Sequence, residues 1–251
     1  MKALKRRLEL LRSADAVRFY LLVRIARLLL PTYRLRWNTL NWWQNTDFNS
    51  YLAQFGELNS FNSDRRWIVH QLLRLIVDVD GDTAECGVFE GATSYLICKA
   101  NQHTSRFTRT HFMFDSFAGL SDPVAQDGTY WRKGDLATHE DIARARLQAC
   151  ERAVFMKGWI PDRFHEVARH RFAFVHIDVD LYQPTLDSIE FFYPRLNDGG
   201  VMIIDDFGFT NCPGAAMAVA ASGIQDKVLS LPDGGAFLIK GTRVEVPAVL
   251  A

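Results

Sequence analysis

Apolar positions recur at helical spacing at the start of this chain, at Leu4, Leu8 and Leu11 and again at Leu22, Ile25 and Leu29, until Pro31 stops the pattern. An aromatic-rich stretch follows, carrying Trp37, Trp42, Trp43, Phe48, Tyr51, Phe55 and Phe61. Those rings would either cover a substrate as a lid or form seams of a core. From about residue 63 the pattern alternates between helix and strand. Ser63 predicts the cap of a helix through Val77, with Trp67, Ile68, Leu72 and Leu75 on one apolar face. Strands are predicted at 83–89, 111–115, 153–156, 172–178 and 201–205. Helices are predicted from 92 to about 101, from 138 to 150, and around Pro184, which suits a first helical turn. Gly199-Gly200 precedes the fifth strand, and residues 228–231 and 236–239, joined through Pro232-Asp233-Gly234-Gly235, read as a closing hairpin. This order predicts an α/β fold, a doubly wound, mostly parallel seven-stranded sheet with an antiparallel last strand, preceded by an N-terminal helical extension.

At 251 residues and 48% apolar, the chain can bury the core of one large α/β domain with an appendage. Cys86, Cys98, Cys150 and Cys212 form no C-x-x-C pair, which argues against a zinc site or a disulfide framework and fits a reducing, cytoplasmic compartment. The net charge is zero but unevenly spread. Residues 1–36 hold ten Lys/Arg against Glu9 and Asp15, a balance of +8, so the remainder carries −8. The chain thus divides into a basic amphipathic extension (1–36), an aromatic-rich lid or linker (37–62) and the α/β domain (63–251). The uncharged runs of the extension fall far short of the roughly 20 residues that span a bilayer. Its arginines also interrupt any secretory h-region. It would lie on an anionic membrane as a peripheral helix, dock on a second subunit to give a homo-oligomer, or pack on its own body.

The chemistry gathers at strand ends. Phe174-Val175-His176-Ile177-Asp178-Val179-Asp180 and Val201-Met202-Ile203-Ile204-Asp205-Asp206 are apolar runs that stop abruptly in carboxylates. Two such strands side by side put Asp178, Asp205 and Asp206 in one crevice, a donor set that suits a hard cation such as Mg²⁺. Glu85-Cys86-Gly87-Val88-Phe89-Glu90-Gly91 ends the first strand, where glycines let backbone approach a ligand and a helix N-terminus offers free N–H groups. Its spacing is G-x-x-x-G, so the dinucleotide fingerprint is absent and a nucleoside without a pyrophosphate is the better fit. Asp115, ending the next strand, is placed to accept both ribose hydroxyl hydrogens.

Together with Phe114-Asp115-Ser116-Phe117-Ala118-Gly119-Leu120, Gly158-Trp159, Ile177 to Tyr182 with Thr185, and Gly199-Gly200 through Gly208, this constellation resembles the macrocin/mycinamicin O-methyltransferase family over roughly residues 57–240. The resemblance implies a class I, S-adenosylmethionine- and Mg²⁺-dependent enzyme that methylates sugar hydroxyls on natural products. It implies that Glu85, Cys86, Gly87, Val88, Phe89, Gly91, Asp115, Ser116, Phe117, Gly119, Thr138, Gly158 and Trp159 form the cofactor site, and that Asp178, Asp205 and Asp206 hold the metal. The segment after the Asp pair, Gly208 to Gly214 leading to an Ala-rich helix, departs from the macrolide enzymes, so their acceptor does not carry over.

Methylating an alcohol requires its proton to be loosened and accepted. A divalent cation lowers the hydroxyl pKa. Asp178 is the candidate base as well as a ligand, with His176, His139 or water sharing the task. His176 lies two residues before Asp178 and shares its face of the strand, where it would be packed or catalytic. A metal-dependent hydrolase could use the same acids but needs no nucleoside pocket, and a non-catalytic binding protein on this fold needs no intact acidic triad. Nucleic acid is a poor partner for a body of −8 that lacks a base-flipping signature. A small-molecule or glycan acceptor fits better.

Overall fold

The computed structural model describes residues 14–31, 39–224 and 227–242. The predicted helical positions Leu4, Leu8 and Leu11, and Trp37, lie outside them. Chain contacts divide the protein into two units, one ending at Leu58 and one beginning at Asn59.

In the first unit, α1 (Ala14–Leu29) ends before Pro31 and none of its residues is buried. Leu21, Leu22, Ile25, Leu28 and Leu29 are all exposed, Leu28 by 81%. The second helix, α2 (Thr46–Gln54), is capped by the Asn45 side chain, which accepts from Phe48 N at 2.9 Å. Rings of the aromatic stretch meet one another. Phe48 meets Trp42 and Tyr51, Tyr51 meets Phe55, and Phe48, Tyr51 and Phe55 are buried. Among the described residues, no helix is long and apolar enough to cross a membrane.

The second unit opens with α3 (Ser63–Leu72), one residue past the cap Asn62, and continues as a 3₁₀ turn over Leu73–Ile76. Then come β1 (Asp82–Cys86), α4 (Ala92–His103), β2 (His111–Asp115), α5 (Glu140–Arg146), β3 (Ala153–Lys157), β4 (Phe172–Ile177), α6 (Tyr182–Phe192), β5 (Leu196–Ile204), α7 (Pro213–Ala221), β6 (Leu229–Ser230) and β7 (Ala236–Ile239). The sheet order is β3-β2-β1-β4-β5-β7-β6. β1 to β5 pair in parallel, β7 lies antiparallel to β5, and β6 lies antiparallel to β7. The order reverses between β1 and β4, so the crevice beyond their carboxyl ends is the place for a ligand. One face of the sheet is packed by a phenylalanine cluster of Phe114, Phe164, Phe172 and Phe192, and the other by Val88, Cys98, Met113, Ala143 and Leu147.

Several boundaries differ from those predicted, and three of them bear on the site. β1 stops at Cys86 rather than Phe89 because Gly87 (φ 87°) and Phe89 (φ 50°) turn the chain out of extended backbone. β5 starts at Leu196, five residues early, with Gly199-Gly200 inside it rather than before it. The register with β4 shifts there, and a Cβ on Gly200 would stand 2.8 Å from Asn197 O and 3.0 Å from Ala173 O. The helix expected from 138 forms only from Glu140, its cap is His139, and Thr138 is left in the loop before it.

Candidate functional site

The turn after β1 is built by its neighbours. Gly87 N donates to Phe114 O at 2.9 Å, and Asp178 N donates to Cys86 O at 2.8 Å. Asp115 accepts from Val88 N at 2.7 Å and Phe89 N at 2.9 Å through Oδ2, and from Phe117 N at 2.7 Å through Oδ1. Its carboxylate therefore ties the ends of β1 and β2 together, and its remaining lone pairs are what a ribose could use. Gly158 N donates to Asp115 O at 3.0 Å, which brings the Gly158-Trp159 turn to the same edge. Beside it lies a cavity of about 410 Å³ lined by Ser116, Phe117, Ala118, Ala137, Thr138, His139, Glu140 and Lys157. That volume is within the range of small-molecule sites. The cavity and the glycine turn fit a nucleoside cofactor.

Not every expected cofactor residue faces that space. Glu85 is buried beneath the turn, and its carboxylate takes the Ser94 hydroxyl and lies 3.5 Å from both His111 Nε2 and His176 Nδ1. Burial would raise its pKa, but the two imidazoles hold it down at about 2. Cys86 sits in the phenylalanine-side core and Val88 in the opposite one, so each can offer a ligand only backbone. The strand alternation that exposes one face of β1 meets a core on both sides here. Gly91 (φ 84°) caps α4, and Gly119 (φ 86°) accepts the Ser116 hydroxyl at 3.1 Å in the loop after β2.

A second cluster forms where β4 and β5 end. His176, Asp178 and Asp205 bring one ligand atom each within 4.8 Å of one another. Asp206 turns a different way. Its Oδ2 accepts from Asp180 N at 3.0 Å, and with Asp180 and Cys212 it forms a second such group. Into the middle reaches Arg65, from the first turn of α3. Its guanidinium pairs with Asp205, lies 3.1 Å from Asp206 Oδ1 and 3.6 Å from Asp178 Oδ1, and stands over the Phe209 ring at 5.1 Å. Burial, with Asp205 and Asp206 close by, raises the Asp178 pKa well above the carboxylate range despite Arg65. Burial and Asp206 push Asp180 up to about 8. Asp205 goes the opposite way, since Arg65 and His176 outweigh its burial. The cluster thus remains short of positive charge with Arg65 in place, and its buried carboxylate oxygens fit a hard divalent cation.

His176 is fully buried, with Nε2 3.8 Å from Asp205 Oδ1. Burial alone would lower its pKa, but Asp205 and Glu85 hold it up at about 10. Fully buried beneath the carboxylates, it is not a proton acceptor open to a substrate. His139 faces the cavity beyond β2, with Thr138 and Lys157. Sequence reading missed Arg65, because an arginine in an amphipathic helix shows no sign of its partner far along the chain. It also missed Asp127. That residue is buried in the Gly/Asp-rich loop and accepts from Tyr182 N at 2.6 Å, which anchors the loop to the start of α6.

The sheet order, the glycine turn and the acid at the end of β2 define a class I methyltransferase fold. Within that class, the chain belongs to the macrocin-O-methyltransferase (TylF) family, whose model matches residues 66–237. It is similar to an 8-demethyl-8-(2,3-dimethoxy-alpha-L-rhamnosyl)-tetracenomycin-C 4'-O-methyltransferase of Streptomyces olivaceus, with 28% identity over 63% of this chain and 66% of that protein. It is also similar to a mycinamicin III 3''-O-methyltransferase of Micromonospora griseorubida, with 26% identity over 63% of this chain and 68% of that protein. The match thus spans about two thirds of the length of these curated relatives. Among solved structures, a calicheamicin methyltransferase superposes with a TM-score of 0.65 at 20% identity, over 85% of this chain and 97% of that one.

Proposed function

We propose that this protein is an S-adenosylmethionine-dependent O-methyltransferase acting on a hydroxyl of a sugar, free as an activated precursor or attached to a natural product. The observation that carries this reading is the meeting, at one sheet edge, of the Gly87 turn and Asp115 with the carboxylates of Asp178 and Asp205. The relatives named above act, by their own names, on a rhamnosyl-tetracenomycin and on mycinamicin III, and the first supports a sugar as the class of acceptor.

The cofactor supplies an electrophilic methyl group. Backbone at Gly87 to Phe89, Asp115 and the cavity beside Ser116 and Thr138 would hold its nucleoside. A divalent cation such as Mg²⁺, held by Asp178 and Asp205 with Asp206 alongside, would lower the pKa of the acceptor hydroxyl. Asp178 is the group that takes the proton. Its side chain is 27% exposed, against 4% for Asp205, so of the two it is the one a substrate hydroxyl can reach. His176 and Glu85 fix Asp205 from below. Transfer in line demands oxygen, methyl carbon and sulfur held collinear, and a single rigid sheet edge provides that orientation. The exposed apolar face and arginines of α1 would engage a second subunit or an anionic surface.

Methyl transfer from labelled cofactor to a panel of nucleotide sugars and glycosides tests the reading. Label should appear on a sugar hydroxyl. Absence of transfer together with absence of any thermal shift on adding S-adenosylmethionine would refute it. Transfer at full rate in EDTA would remove the metal while leaving the methyltransferase.

A further inference from the structure

We propose that Arg65 is a tethered competitor for the divalent cation: its guanidinium and the cation draw on the same oxygens of Asp205 and Asp178, so cation entry moves Arg65 off Asp205. The inference rests on the metal reading above. It comes from the geometry of one side chain. The guanidinium contacts Asp205, Asp206 and Asp178 together, the residues whose oxygens the cation needs. A guanidinium and a divalent cation cannot share one carboxylate oxygen without severe like-charge repulsion in a buried crevice.

Arg65 is only partly satisfied where it stands, since its contacts to the three carboxylates all run through one terminal nitrogen. Its Nε is buried yet makes no hydrogen bond, and both nitrogens of His176, beside Asp205, likewise lack a hydrogen-bond partner. Unsatisfied buried polar atoms of this kind mark a group that another arrangement would satisfy better. The side chain has somewhere to go, since Phe209 already lies under the guanidinium and can keep a cation–π contact as the head swings outward. The helix itself need not move. Neighbouring Arg66 donates to Thr93 Oγ1 at 2.5 Å, which ties α3 to the start of α4 beside the glycine turn. The family match begins at residue 66, so Arg65 falls just outside it.

The test is cation binding to the full-length protein, with Mn²⁺ and Mg²⁺ alone, by calorimetry and by thermal shift. Arg65→Met should bind Mn²⁺ at least tenfold more tightly than wild type and show a larger metal-induced rise in Tm from a lower metal-free value. Arg65→Lys, which keeps the charge and loses the fork, should fall between. A merely structural arginine would give weaker binding on removal, so unchanged or weaker affinity in Arg65→Met beside a wild type that binds overturns the proposal. Should Arg65→Met not fold, the wild type still decides. On Mg²⁺ titration, the Arg65 Nε–H cross-peak should shift, whereas a cross-peak that stays fixed at saturating metal overturns the displacement. If neither wild type nor Arg65→Lys binds any divalent cation, the metal reading itself fails and the inference falls with it.

Discussion

Replacing Gly87 by alanine should unlock the two strand ends that frame the site. Gly87 has φ 87°, a region that costs a side-chain-bearing residue about 1–2 kcal/mol. A Cβ there would also overlap the carbonyl oxygen of Asp178, which is backbone and cannot rotate away. Relieving such an overlap displaces the end of β4, a further cost of about 1–3 kcal/mol by comparison with overpacked cores. Gly134 is the matched control, because it has φ 84° and nothing within 4 Å of its Cβ position. Gly134→Ala should therefore lose only the conformational part, about 1–2 kcal/mol, and Gly87→Ala about 2–5 kcal/mol. Urea denaturation followed by circular dichroism measures both, with a shifted midpoint and an unchanged slope marking a true stability change. Equal losses in the two variants would refute the claim that Gly87 exists to admit the Asp178 carbonyl. Gly87→Ala should also weaken Mn²⁺ binding, since Asp178 moves with its own backbone, whereas Gly134→Ala should not.

Asp115→Ala removes the acceptor for Val88, Phe89 and Phe117 N–H and should lower S-adenosylmethionine affinity at least tenfold by calorimetry, in keeping with the roughly 1.5–3 kcal/mol of a hydrogen bond to a charged group. Unchanged affinity would dismiss the nucleoside site. Asp205→Asn should cost turnover far more than cofactor affinity and regain part of it in excess Mg²⁺, because ligand charge largely sets affinity at a hard-cation site. Asp178→Asn should resist that rescue, since the proton acceptor is lost with the ligand, and EDTA should silence wild type while calorimetry still detects cofactor binding. Deleting residues 1–36 should change the sedimentation of the protein alone or abolish its co-sedimentation with anionic vesicles, and no change in either leaves α1 without an external partner.

The fold was readable because its signals are local and redundant. His111–Asp115 and Ala236–Ile239 are short apolar runs bounded by turn residues, and both strands form as predicted. Sequence reading failed where tertiary contact overrides local chemistry. Gly199-Gly200 has the composition of a turn, but it lies within β5 because the approach to β4 needs residues without a Cβ. Thr138 has the chemistry of a helix cap, but the chain holds it at Phe117, donating its N–H to that carbonyl, and the helix begins later.

The acids of the site were visible for a similar reason: apolar strands that end in carboxylates announce an edge. What pattern cannot announce is orientation. Asp205 and Asp206 are adjacent in sequence, yet the first faces His176 and Asp178 while the second turns back to the Asp180 backbone. That division arises in the turn that follows β5, where Asp205 N donates to Ile177 O and the Asp206 carboxylate accepts from Asp180 N. It also separates the electrostatics, since Asp205 is held ionised by Arg65 and His176, whereas Asp178 and Asp180 are pushed toward neutrality. One carboxylate that keeps its charge beside another that readily takes a proton would serve the proton transfer proposed above. Arg65 sits between them, so whether it stays or leaves on cation entry decides how much of that charge a substrate hydroxyl can use.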